Sequence, residues 1–508
     1  METVVLTGST LTVLEVEGVA RRGWKVKVGD EAARRVKAAR AEVDRLLAEG
    51  RVAYGVTTGF GRLADVAVSP SQAAALQRNL IRSHAAGVGD PLPEDVVRAA
   101  MTLRVNALLK GYSGIRLEVL ETLVQMINRR VHPVVPEKGS VGASGDLAPL
   151  AHVALVLIGE GEAWYRGQRL PGGEAMRRAG IEPAVLGAKE GLALINGTQM
   201  MGALGCLLVS EARRLAGTAD VAAALSLEAL RGQLDPFHPL VQSARPHPGQ
   251  EEVARNLRRL TEGSRLVTAP GEMRVHDAYS LRCVPQVHGA CRDALAHLAE
   301  VLEREINSAT DNPLVFPEHH LVISGGNFHG QPVAMALDYA TIALSTFGNI
   351  AERRLERLVN PGQSGLPAFL TKFGGLCSGL MLVQYTAAAL VSENKTLAHP
   401  ASVDSVPTSA GQEDHVSMGP WAARKARRVL DNVEWVLAAE LLAAAQACEF
   451  LGPEGLGAGT RPVWQHIRRF IPPLEDDRPP APDLARLKEL VSTGEILRVA
   501  EEAVGPLA

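Results

Sequence analysis

The sequence predicts a nearly all-α protein: a loop-rich N-terminal helical domain over residues 1–195, then a long central helical bundle with C-terminal helices over residues 196–508. Three observations point there. After residue 15 the apolar residues recur at the helical period rather than in alternation. The second half contains five long helical stretches, at 189–232, 285–307, 330–358, 375–398 and 419–450. The intervening stretches 233–250, 264–284, 309–329, 359–374 and 399–418 are dense in Gly, Pro, Asn and His. Loops of this length in a compact protein are commonly functional, and here they fall at bundle ends.

Residues 3–15 alternate enough for a short strand or hairpin. Asp30 can cap a helix carrying Val36, Val43, Leu46 and Leu47 on one face and stopped by Gly50. Ser69-Pro70-Ser71-Gln72 reads as a capping box with Pro in the first turn, leading into Leu76, Leu80 and Ile81. Further helices are expected from about Pro93 to Lys110, ended by Gly111, and from about Arg116 to Arg130. An irregular, Pro- and Gly-rich stretch, His132 to Gly145, follows, and a helix starts near Asp146.

Composition excludes several classes. Hydrophobic residues make up 46% of the 508, enough for a large core, while aromatics are only 4%, so Leu, Val and Ala must fill it. The net charge of −3, with no standout Lys/Arg run, argues against nucleic acid or an anionic membrane as partner. Cys206, Cys283, Cys291, Cys377 and Cys448 are an odd, sparse set without C-x-x-C spacing, as in a reduced, cytoplasmic protein with no zinc knuckle. No basic n-region opens the chain, and no uninterrupted apolar run reaches a membrane span. There is no P-loop and no dinucleotide-binding glycine pattern. Asp146 stands where a nucleophile elbow needs Gly. His319-His320 lacks acidic or Cys partners at ligand spacing, so no metal is expected.

The stretch Gly139 to His152 carries the most chemistry. In Ala143-Ser144-Gly145 the Gly145 amide nitrogen can attack the Ala143 carbonyl carbon. Loss of water closes a five-membered ring, and loss of a second water from Ser144 leaves an exocyclic methylidene. Gly145 lets its nitrogen approach without a Cβ clash, Ser144 supplies the leaving hydroxyl, and Ala143 is small enough not to crowd the ring. The product is an electrophile that no ordinary side chain offers.

This loop, with Tyr54–Gly61, Asn196-Gly197-Thr198, Asp277–Arg282, Asn307–Pro313, Gly326–Gly330 and Gln412–His415, resembles the histidine/phenylalanine/tyrosine ammonia-lyase family in the family's own order, over nearly the whole chain. The resemblance implies a fold like the aspartase/fumarase-like superfamily and a self-generated 4-methylidene-imidazol-5-one (MIO) from Ala143-Ser144-Gly145, with no external cofactor. It implies a homotetramer whose sites combine loops of several subunits, acting on a small amino acid. Tyr54 is the implied base, which needs a depressed phenol pKa to work near neutrality. Arg282 has the fork for an α-carboxylate. Tyr279 and Asn196 are implied to hydrogen-bond the substrate or the ring, and Phe328 to pack on either.

Substrate choice rests on Ser83-His84 and Glu413. Phenylalanine and tyrosine lyases tend to have apolar or His-Leu residues and Gln at these places. His84 and Glu413 instead complement the donor and acceptor of a neutral imidazole. The implied reaction is the non-oxidative deamination of L-histidine to trans-urocanate. The alternatives are a tyrosine or phenylalanine ammonia-lyase, or an aromatic 2,3-aminomutase. His276 departs from the pattern, standing where the family usually has Gln, and is a possible ring contact.

Overall fold

The computed structural model describes residues 2–50, 58 and 72–508. Twenty α-helices and nine short strands occur among the described residues. They form two compact units. The first is Met1–Ser210, Leu298–Asp338 and Pro400–Arg424; the second is Glu211–His297, Tyr339–His399 and Lys425–Ala508.

In the first unit the expected strand or hairpin at residues 3–15 resolves differently. Only Thr3–Leu6 is extended, and it pairs in parallel with Lys25–Val28. Between them Thr12 and Glu15 form a reciprocal capping box that starts the helix Val13–Arg21. That box turned what read as alternation into a helical turn, because each partner satisfies a backbone donor of the other. Asp30–Ala48 is the expected amphipathic helix: Val36, Ala39, Val43 and Leu46 are buried at helical spacing, and Ala39 and Val43 share a cluster with Ala73, Ala188 and Val315. The proposed capping box at 69–72 lies almost entirely outside the described residues, and the helix that follows is Ala73–His84. Glu94–Leu108 and Leu117–Arg129 match their expected spans within two residues. The region after residue 131 is not wholly irregular. His132–Pro133 pairs with Glu162–Tyr165, which pairs in turn with Gln168–Pro171, and Pro136–Lys138 pairs with Val88–Pro91. The hairpin Leu314–Phe316 with Leu321–Ile323 occupies part of a stretch expected to be loop.

The long helices are placed largely as expected: Val284–Glu305, Gln331–Val359, Met381–Leu397 and Gly419–Glu449. The helix expected over 189–232 is two, Glu190–Ile195 and Gln199–Ala229, broken at Asn196-Gly197-Thr198. By length and composition Gln331–Val359 could cross a membrane, but 72% of its apolar window is buried inside the protein. Its apolarity is therefore accounted for by core packing.

In the second unit, the helix Pro248–Leu260 begins inside a stretch expected to be loop. Pro248 sits in its first turn, where a missing N–H costs nothing. Buried charge organises this unit. Glu440 accepts hydrogen bonds from Arg354 at 2.5 and 2.9 Å and from Ser226 at 2.7 Å. Asp220 accepts from His288, Arg292 and Asn256 at 2.7, 2.7 and 2.9 Å. Removing one partner from such a buried pair costs ~3–5 kcal/mol, because the other charge is left uncompensated.

Candidate active site

The loop that carries Ala143-Ser144-Gly145 lies in the first unit and is fastened at both ends. Ser140 Oγ accepts from Gly142 N at 3.1 Å and donates to the Gly145 carbonyl at 3.2 Å. One hydroxyl thus spans the tripeptide and curls its backbone. On the upstream side Ser417 Oγ donates to the Gly142 carbonyl at 3.0 Å and Met418 N donates to the Val141 carbonyl at 2.9 Å. On the downstream side Gly145 lies alongside Gly197, and Asp146 N donates to the Gly197 carbonyl at 2.7 Å. Gly145 has φ +72°, and a Cβ there would collide with the Gly197 carbonyl. The position therefore requires glycine twice over, for backbone angle and for space.

Asp146 is buried, and its Oδ2 accepts from Met200 N and Met201 N at 2.8 and 2.9 Å, at the start of the helix Gln199–Ala229. Its carboxyl is pushed up to about 7, because burial outweighs those two amide donors. Asp146 thus ties the loop to a helix N-terminus, where amide donors lack intrahelical partners.

Asn196 is buried in the break between two helices, and its Nδ2 donates to the Ser144 carbonyl at 2.9 Å. Its Oδ1 is buried without a partner among the described residues. The break is held by Arg104, whose guanidinium donates to the carbonyls of Asn196 at 2.9 Å and Thr310 at 3.3 Å, to Gln199 Oε1 at 2.8 Å, and to Ala193 O. Burial pushes the Arg104 guanidinium down to about 10. Sequence reading missed the roles of Arg104, Ser140 and Ser417. Ser140 and Asp146 lie in the singled-out loop, where small and acidic residues gave a local signal, whereas Arg104 and Ser417 act from elsewhere in the chain.

Glu413 reaches the same tripeptide. Its Oε1 accepts from Ser144 Oγ at 3.1 Å and its Oε2 from Thr408 Oγ1 at 2.8 Å. His84 ends the helix Ala73–His84, with Nδ1 against the Leu80 carbonyl at 2.8 Å. A ring nitrogen facing a carbonyl must carry the proton, so Nε2 of the neutral ring is left as an acceptor. Burial lowers the His84 pKa, while the Leu80 carbonyl and the Glu413 charge partly oppose that. Phe328 is half-buried in the loop before Gln331, and its neighbour His329 stacks on His415 at 5.8 Å and 7°. The structure thus brings Asn196 and Glu413 each into contact with Ser144, with His84 within electrostatic reach of Glu413.

Tyr54 lies outside the described residues. Tyr279 and Arg282 belong to the second unit, in the single turn Tyr279–Arg282, with the guanidinium 4.8 Å from the ring centre. Among the described residues Arg282 Nε has no hydrogen-bond partner, and Tyr279 is 71% exposed. His276 is exposed, next to Asp277, whose buried carboxylate accepts from Gln233 N at 2.7 Å and Arg274 Nε at 2.5 Å.

The residues fit a self-generated MIO group. The backbone is curled, glycine stands where the attacking nitrogen must be, and the hydroxyl to be lost is held by a carboxylate. An amide donor sits on the oxygen that would become the ring carbonyl, beside an unsatisfied buried oxygen.

The chain matches the family model "Aromatic amino acid lyase" over residues 11–469. It is 60% identical over 507 residues to a histidine ammonia-lyase of Symbiobacterium thermophilum, covering 100% of both chains. The structure of the Trypanosoma cruzi histidine ammonia-lyase superposes with a TM-score of 0.92 at 45% identity, covering 99% of this chain and 96% of that one. A tyrosine aminomutase from Streptomyces globisporus superposes with a TM-score of 0.95 at 42% identity, covering 100% of both.

Proposed function

Because this chain belongs to the aromatic amino acid lyase family, we propose that it is a carbon–nitrogen lyase removing ammonia from L-histidine to give trans-urocanate. The full-length identity to a histidine ammonia-lyase carries this reading. The placement of His84 near Glu413 supports it, because an acceptor and a carboxylate suit the two nitrogens of an imidazole. An aminomutase or a tyrosine or phenylalanine lyase is the second reading, favoured by the equally good superposition on the tyrosine aminomutase.

The group made from Ala143-Ser144-Gly145 would supply the electrophile. The chain's own residues do the rest. Asn196 Nδ2–H stabilises negative charge on the Ser144 oxygen, where its donor already points. Glu413 and His84 orient the imidazole. Arg282 takes the α-carboxylate through a bidentate fork, and Tyr279 donates a hydrogen bond beside it. Tyr54 removes the β-proton, Phe328 covers the site, and His276 serves as a ring contact. We propose a homotetramer in which these groups come from more than one subunit. The exposed Tyr339, Phe373, Leu376, Leu382 and Tyr385 of the second unit support association, since large exposed apolar side chains favour burial. Five free cysteines support a cytoplasmic location.

Incubation with L-histidine, L-tyrosine and L-phenylalanine tests the reading. Ultraviolet absorbance of urocanate should rise with histidine alone. A β-amino acid product, or faster turnover of tyrosine or phenylalanine, would replace it with the second reading.

A further inference from the structure

The first unit contains another concave site, built from different residues. It is a cavity of about 790 Å³ between the start of the helix Glu94–Leu108, the end of the helix Leu117–Arg129 and the hairpin turn after Tyr165. Arg21, Arg98, Arg129, Arg130 and Arg166 line it, against two carboxylates, Glu94 and Asp95. Both carboxylates are engaged: Asp95 pairs with Arg21 at 2.8 Å and Glu94 with His132 Nδ1 at 2.5 Å. Among the described residues no carboxylate pairs with Arg98, Arg129, Arg130 or Arg166.

Two of the lining side chains are buried with unused polar atoms. Arg98 is 3% exposed; its Nη2 donates to the Trp24 carbonyl at 2.9 Å, and among the described residues its Nε has no partner. His132 is 6% exposed, and its Nε2 has none. Burial pushes the Arg98 guanidinium down to about 10, and Arg130 adds repulsion. Two more arginines sit at left-handed turn positions. Arg130 has φ +58° and Arg166 φ +50°. Arg130 also lies so close over Gly23 that a Cβ there would be 2.5 Å from its Nη2. Arg130 caps the end of the helix Leu117–Arg129 and Arg166 sits in the two-residue turn between Tyr165 and Gln168, so these local turns fix where both side chains start beside the cavity. Guanidinium groups without carboxylate partners, one buried (Arg98) and the others exposed at the rim of one cavity, are an arrangement that recognises an oxyanion through paired N–H donors.

We propose that this cavity is a binding site for a small, multiply charged oxyanion of the phosphate class, held by Arg98, Arg130 and Arg166.

Calorimetric titration of the full-length protein with inorganic phosphate, phenyl phosphate and citrate tests this. Arg130→Gly and Arg166→Gly are the informative variants, since glycine tolerates positive φ and both side chains are exposed, so folding is retained. Unliganded melting temperature and lyase activity should match wild type. Saturable binding of a phosphate probe is expected, weakened about tenfold or more for each guanidinium lost, the scale of a charge-assisted hydrogen bond. Binding of both phosphate probes would identify free phosphate as sufficient; binding of phenyl phosphate alone would identify an organic monoester. No saturable binding of either phosphate at millimolar concentration and low salt, undiminished binding by the double variant, or preference for citrate over both phosphates would each overturn the proposal.

Discussion

Asn196→Ala isolates one interaction at the reacting loop. The side chain is 3% exposed, and its single described hydrogen bond is Nδ2 to the Ser144 carbonyl at 2.9 Å. Removing a neutral hydrogen bond costs ~0.5–1.5 kcal/mol of folding stability. Here the loss is partly offset, because the buried Oδ1 has no partner and its removal relieves an unsatisfied acceptor. Net destabilisation should therefore stay within ~1 kcal/mol. Catalysis is affected more strongly. A donor aimed at an oxygen that gains charge in the transition state contributes ~2.7–4 kcal/mol, or about 100- to 1,000-fold in kcat. Since the bond strengthens only as charge develops, kcat and kcat/KM should fall together. Initial rates of urocanate formation, intact mass and thermal melting measure all three quantities. A variant two waters lighter than its encoded mass, yet turning over within a few-fold of wild type, would refute the reasoning. A variant of unmodified mass would place the role of Asn196 in ring closure instead of turnover.

Three further perturbations have definite outcomes. Wild type should be two waters lighter than encoded, within the peptide 140–150, and Ser144→Ala should abolish both the full mass loss and activity; an unmodified wild-type peptide contradicts the ring. Arg282→Met should lower kcat/KM by about 30- to 5,000-fold, corresponding to ~2–5 kcal/mol for a lost buried charge partner, with Lys rescuing only in part; near-normal kinetics would remove Arg282 from the site. Asp146 is held neutral in the folded state up to about 7 against an ordinary 3.8, so its contribution is complete at low pH and lost as pH rises through that window. Asp146→Asn should flatten the decline of melting temperature across it, and an unchanged pH profile would show that Asp146 does not titrate there.

Much of this architecture is legible locally. The Asp30–Ala48 helix and the long helices of the second half follow from apolar spacing alone, because a helix burying one stripe writes its period into the sequence. What fails is anything decided at a distance. Asn196-Gly197-Thr198 interrupts a run of helix formers, and the break is stabilised by Arg104, some ninety residues upstream. Pro248 read as a loop residue but opens a helix. The Ala-Ser-Gly tripeptide announces its chemistry, yet its fasteners, Ser417 and Met418, lie in a segment with no pattern linking it to residue 142. The contact of Glu413 with Ser144 is likewise invisible before folding.

The fastening of Val141 and Gly142 by Ser417 and Met418, and of Gly145 and Asp146 by Gly197, has a consequence for the newly made protein. A ribosome releases this chain as an unreactive polypeptide. If Ala143-Ser144-Gly145 cyclises as proposed, closure awaits the meeting of three sequence-distant stretches, so a misfolded copy would stay chemically innocuous instead of exposing a methylidene to cellular thiols. Each modified molecule would then carry a permanent record that it once folded, and a mass spectrum of a preparation would double as a census of its folding history.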